Sequence, residues 1–346
     1  MIEAVLAFTL LLLLLVLWFL LFPVKYAGKA SLSDQLVEPP EGFLYSYVLH
    51  IHTQFSYDSL GKPEDVIRSR DELGIDYAIV TDHDTDALRI FADERLLVGR
   101  EVKLNEKGEL RGNLLEVGDL RIVVHHFRGR YRWRLEKDRD LIFELVNLRD
   151  ALLEKKRSLL LYLLTALLLY PLMKKRLILN FAKLIDTRSC ARRYLSEGWR
   201  SRVVGGLDHH VKVYVREVRR RFMLPAYEHS FALMRNFILS PFPVKDKADF
   251  LRALREGTNL ISFSDRPSFV WRTGREIKAS SPFSNTYMVL ISEDLEEREV
   301  LGSNLSFDDL KQGYYIILGY TYIFRFGRLL FGVRPLFVSD LLEVTE

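Results

Sequence analysis

Hydrophobic patterning divides the chain into three parts. Residues 4–22 are apolar without a break except for Thr9. From about residue 48 to 210, short apolar runs alternate with polar turns and stretches of helical spacing. From residue 286 onward β-type runs follow one another: TYMVLI, GYYIILGYTYIFRF and LLFGV. That last pattern predicts a small antiparallel, β-rich C-terminal domain over 273–346. The middle part opens on a strand ending His50-Ile51-His52, and a period of two puts both rings on one face. A helix then begins at Pro63 and closes at Gly74, and a second strand, Tyr77 to Val80, runs into Thr81-Asp82-His83-Asp84.

The first run predicts a membrane anchor over 1–29. Nineteen helical residues span roughly 28 Å, against about 30 Å for a bilayer core. A cleaved signal peptide would carry an apolar region of about 7–15 residues behind a positive start; this run is longer and starts with Glu3. Lys25 and Lys29 follow it and no Lys or Arg precedes it, which predicts a single N-terminal span with the rest of the chain on the cytoplasmic side. Residues 30–47, with Pro39-Pro40, read as a linker. A second apolar run, 158–173, is bracketed by Lys155-Lys156-Arg157 and Lys174-Lys175-Arg176. It is short for a span, and its flanks suit either contact with anionic lipid or a buried helix with solvated ends.

Composition narrows the chemistry. The 346 residues carry a net charge of +4, too small to argue for nucleic acid by itself. The one cysteine, Cys190, excludes an intramolecular disulfide and a Cys-rich zinc site. Eight histidines are present, and all but His229 fall into four clusters: His50/His52, His83, His125/His126 and His209/His210. Each cluster stands at the end of an expected strand. Glu101 ends another (LLVGRE), and Asp208 and His210 follow VVGGL. His50, His52, Asp58, His83, Glu101, His125, Asp208 and His210 together supply the imidazoles and carboxylates that divalent ions need. Five arginines and no acid lie between Arg121 and Arg134. Arg128 or Arg130 could clamp a phosphate, Tyr131 and Trp133 could stack the bases of a single strand, and the whole run could be a basic face against lipid.

HIHTQFSYDS followed by TDHD resembles the first two motifs of the PHP (polymerase and histidinol phosphatase) superfamily of metal-dependent phosphoesterases. GREV around Glu101, RIVVHHF, FELVN and GGLDHH are similar to its later motifs, and the resemblance covers about residues 45–215. It implies a distorted TIM-like (β/α)7 barrel over 48–272, flanked here by the transmembrane helix and the β-rich domain. It implies one ion held by His50, His52, Glu101 and Asp208, a second by Glu101 and His125, and a third by Asp58, His83 and His210. The ions would be zinc, manganese or iron. In-line hydrolysis of a phosphate ester by a metal-activated hydroxide is the expected reaction, on a membrane-anchored enzyme. Asn113 departs from the pattern by standing where the family often has a histidine. Either His126 substitutes, or the site is weak, or two ions suffice. The same departure sustains an alternative, a metal-binding membrane scaffold or sensor without turnover. A nuclease acting on single strands is a further alternative.

Overall fold

The computed structural model describes residues 2–33, 38, 40–217 and 220–345. Positions 34–37 and 39, in the segment read as a linker, lie outside the described residues, as do the side chains at 171–176 in the second basic bracket. In chain order the elements that matter are α1 (Ile2–Leu21), β1 (Phe43–Ile51), α2 (Pro63–Glu72), β2 (Tyr77–His83), β3 (Leu96–Glu106), β4 (Glu109–Val117), β5 (Leu120–Val124) and β6 (Ile142–Asn147). They continue with α3 (Leu148–Glu154), α4 (Lys156–Met173), β7 (Arg202–Gly206), β8 (Arg235–Ser240), β9 (Thr258–Ser262), β10 (Thr286–Ser292), β11 (Glu297–Leu301), β12 (Gly313–Thr321) and β13 (Arg334–Ser339).

A single mixed sheet of 15 strands forms the spine, in the order β11-β10-β12-β13-β9-β8-β1-β2-β3-β4-β5-β6-β7, with Ser31–Leu32 beyond β11 and Leu342–Val344 on β12. β1/β2, β2/β3, β5/β6 and β6/β7 are parallel. The segment after β7 returns to β1: Leu207 N donates to Leu49 O (2.9 Å), His209 N to His50 O (3.2 Å), and His52 N to His209 O (3.0 Å). The C-terminal ends of β1, β2, β5, β6 and β7 therefore gather around one point.

This arrangement corrects the expected fold in two respects. The first is that strands and helices do not alternate as a (β/α)7 array. β3, β4 and β5 form an antiparallel meander. The turn at Lys107-Gly108 (φ 50° and 81°) leaves no room for a crossover helix. β8 and β9 are also antiparallel to their neighbours, and the sheet runs on unbroken into the C-terminal β region. The second concerns the N-terminus. Among the described residues no helix is long and apolar enough to cross a membrane. The expected transmembrane anchor, and the localisation built on it, are overturned. One face of the C-terminal half of α1 packs on protein: Leu12, Val16 and Phe19 join Tyr162, Ala166 and Leu169 of α4 in one apolar cluster, while Leu6, Phe8, Leu10, Leu13 and Leu17 are exposed. Lys183 Nζ donates to the carbonyls of Phe19 (2.8 Å) and Leu20 (2.7 Å), placing a cation where the helix dipole is negative.

The apolar runs are buried on both faces, as strands in the middle of a covered sheet are. Tyr47 and Leu49 belong to one layer of the core with Ile79, Ile122 and Val204. Val48 and Ile51 belong to the other, with Val80, Val123 and Phe143. Strict alternation would put Ile51 with Leu49. The register shift between Leu49 and Ile51 makes His50 an extra residue and moves Ile51 across.

Candidate metal centre

The bulge is where the site begins. His50 has φ 63°, His125 φ 56° and Asp208 φ 47°, a left-handed region that residues with a Cβ seldom enter. Each sits where its strand ends, and the turn of the backbone aims its side chain inward. His83, the last residue of β2, is in register with Glu101 of β3. Asp58 comes from the loop after β1, and His210 from the loop after β7.

The eight residues read from the sequence converge. Glu101 Oε2 lies 3.3 Å from His50 Nε2, 3.3 Å from His52 Nε2 and 3.4 Å from His83 Nδ1, while its Oε1 lies 3.4 Å from His125 Nε2. Asp208 Oδ1 is 3.9 Å from His50 Nε2 and 3.7 Å from His52 Nε2, and its Oδ2 is 3.8 Å from His125 Nε2. Asp58 lies 3.6 Å from His83 Nε2 and 2.9 Å from His210 Nε2.

Outer partners fix the imidazoles. His50 Nδ1 donates to Glu144 Oε1 (2.6 Å), His125 Nδ1 to Asp150 Oδ2 (2.7 Å), His210 Nδ1 to Asp208 O (3.0 Å) and His52 Nδ1 to Ser56 Oγ (3.1 Å). Ser56 Oγ in turn donates to Asp82 Oδ1 (2.9 Å), and Asp82 also accepts from Thr53 N and Oγ1. Asp82 thus orders the loop that presents Asp58. With Nδ1 committed outward, each of these four rings turns Nε2 to the centre, the arrangement that metal-binding histidines share.

The carboxylates stand ionised among the imidazoles. Burial alone would raise the Glu101 and Asp208 carboxyls, but the surrounding imidazoles outweigh it; Glu101 is held well below its usual range and Asp208 at about 2. Asp58 is lowered against burial by His210 and His83. Burial pulls His50 down, yet Glu144 and Glu101 carry it up to about 10. Burial dominates at His52 and lowers it to about 3, so that ring stays neutral with a free lone pair.

The donor set fits divalent ions. Two ligand atoms each about 2.1 Å from one ion lie about 3.0–3.4 Å apart, and the four Glu101 separations above, at 3.3 or 3.4 Å, fall in that range. The buried atoms His52 Nε2, His210 Nε2, Asp58 Oδ1 and Asn113 Oδ1 have no hydrogen-bond partner among the described residues. At 2.9 Å the His210 and Asp58 atoms are close but not aligned for a hydrogen bond, as two groups aimed at a common third point would be. Among the described residues, three groups could hold an ion: His52, Asp58, His83 and His210; His50, His52 and Glu101; His50, His125 and Asp208.

His126 is not available as a substitute ligand: its Nε2 donates to Glu197 Oε2 (2.7 Å) and its Nδ1 accepts from Trp133 N (3.1 Å). Asn113 Nδ2 donates to Glu101 Oε1 (2.7 Å). Arg128 reaches Asp150 (3.3 Å) at the rim, whereas Arg130 lies over the Tyr131 ring and contacts no ligand residue. Trp133 is buried, its Nε1 donating to Glu136 O, and so offers no exposed ring for a base.

Sequence reasoning passed over Arg149, whose Nη1 donates to Asp208 Oδ2 (3.2 Å), and the outer carboxylate Asp150, and met Glu144 only inside the FELVN motif, without a role. Their signal was faint: a carboxylate inside the apolar strand FELVN, and an Asn-x-x-Asp helix cap.

No family model matches the chain, and no curated protein matches its sequence. Among solved structures it is similar to a two-domain protein from Bacteroides vulgatus ATCC 8482 described as containing a predicted PHP-like metal-dependent phosphoesterase. That likeness has 11% identity and a TM-score of 0.32, over 90% of this chain and 100% of that one.

Proposed function

We propose that this chain is a metal-dependent phosphoesterase whose site holds two or three divalent ions. The observation that carries the reading is the convergence of eight imidazole and carboxylate side chains, with four of the five imidazoles pinned at Nδ1 by outer partners. His50, His52, His83, His125, His210, Asp58, Glu101 and Asp208 would hold the ions. Such ions acidify water and neutralise phosphoryl oxygens. Arg149, partly exposed beside Asp208, supplies a guanidinium for a non-reacting phosphoryl oxygen, and Arg128 adds positive charge at the rim.

A metal-binding protein without turnover is the competing reading, and it rests on Asn113. One sample decides between them. Zinc, manganese and iron are quantified in the full chain, and a phosphate monoester and a diester are assayed with each ion restored. Turnover that depends on the metal, and that His52→Ala and Asp208→Ala abolish, is the expected result. Stoichiometric metal with no turnover on either ester would establish the second reading.

A further inference from the structure

A cavity of about 230 Å³ shares a wall with the metal centre through Asp208 and His210. Leu148, Leu152 and Leu153 of α3 and Leu159 of α4 form its apolar side. Arg149 and Lys212 are its cations, and both lie on the side of the ligands: Arg149 bonds Asp208, and Lys212 Nζ donates to Asp58 O (2.5 Å). Its other polar side chains include His209 and Ser230, which hydrogen-bond each other (2.6 Å). Past Leu159, α4 continues with exposed Leu160, Leu163, Leu164, Leu167 and Leu168. The lining therefore combines cations bonded to the candidate ligands with a row of α3 and α4 leucines.

We propose, on the phosphoesterase reading above, that the substrate is a phosphate ester of an apolar alcohol, its chain lying against the α3–α4 leucines and its phosphate beside Arg149. Hydrolysis breaks the bond between phosphorus and the alcohol oxygen and forms a bond from a water oxygen to phosphorus. The two products are the alcohol, which takes a proton from that water, and inorganic phosphate. Among the described residues no Phe, Tyr or Trp lines the cavity, so the large rings that most often stack a nucleobase are missing from its lining. Its volume is below the roughly 300–1,000 Å³ of pockets for drug-sized ligands, and suits a chain rather than a base with its sugar.

The test measures binding first, so that it does not depend on catalysis. The metal-loaded 346-residue chain is titrated calorimetrically with n-alkylphosphonates from methyl to octyl, each below its micelle concentration. The expected Kd falls about fourfold per methylene until the cavity is filled, and Leu153→Gln and, separately, Leu159→Gln reduce that slope. A Kd independent of chain length overturns the proposal. So does a slope that both variants leave unchanged, or tighter binding of a nucleoside monophosphate than of octylphosphonate. The matching n-alkyl phosphates are then assayed for phosphate release. Chain-dependent binding without release would overturn the hydrolytic reading and leave the apolar subsite standing. Release from methyl phosphate with no chain dependence would do the reverse.

Discussion

The amide of Asn113 donates to Oε1 of Glu101 at 2.7 Å, while Glu101 Oε2 faces His50, His52 and His83. An asparagine here is a positioning group. It leaves one carboxylate oxygen aimed at three imidazoles, and its own Oδ1 is buried without a partner among the described residues.

Replacing Asn113 with leucine, which has similar volume and no donor, is expected to weaken metal binding by about 10–100-fold. Asn113→His, which returns a nitrogen to the position, is expected to bind more tightly than Asn113→Leu. Competition against a chromophoric chelator measures both, and equal affinity in all three proteins would contradict the role.

Asp150 connects the helix cap to the metal centre: it accepts from His125 Nδ1, and its backbone N–H donates to Asn147 Oδ1. Asp150→Ala should cost about 10–100-fold in metal affinity, with little change in the melting temperature of the metal-free protein. A large fall in that temperature with unchanged affinity would show the contact to be structural.

Gly206 is packed under the His50–Glu144 pair. A Cβ there would collide with Glu144 Oε1 and stand 3.1 Å from His50 Cβ. Gly206→Ala is expected to destabilise the fold by about 1–3 kcal/mol and to lower metal affinity, because relief requires the Glu144 side chain to leave His50. Urea denaturation with and without metal separates the two effects.

The metal-free protein should be most stable near neutral pH. Burial lowers His52 and His209 to about 3. Between about pH 6.5 and 3 the unfolded chain binds protons that the folded state refuses, so their contribution is complete above pH 6.5 and lost as pH falls through 3. His50 acts oppositely: raised to about 10, it stabilises fully below about pH 6.5 and that contribution is lost as pH rises through 10. Denaturation midpoints from pH 4 to 10 should pass through a maximum near pH 6.5, and a monotonic trend would contradict this balance.

The convergence of the candidate ligands was legible because metal chemistry needs particular side chains, and a strand end is where a sheet presents them. Period-two alternation was the wrong reason for the convergence of His50 and His52. His50 is the bulged residue, and a bulge leaves no mark in apolar patterning. The helix from Pro63 and the C-terminal strands followed from local signals. Residues 177–179, apolar enough to resemble a strand, lie instead in a 3₁₀ segment, Lys174–Leu184, joined to α4. The apolar run 4–22 gave its helix but not its neighbour. Hydrophobicity is the same signal whether a helix meets lipid or, as at Phe19 and Tyr162, another helix. Arg149 stayed hidden because one arginine among fifty basic residues carries no pattern; only its contact with Asp208 singles it out.

The continuity of the sheet bears on how the chain can be divided. β9 pairs with β13 over Leu260–Ser262, and β8 connects β9 to β1, the strand that carries His50. A chain cut at residue 272 would bare β9 as an edge, its N–H and C=O groups open to pairing with another copy. The strands that carry the candidate ligands and the C-terminal strands therefore share one continuous sheet, and the candidate metal centre is built on it.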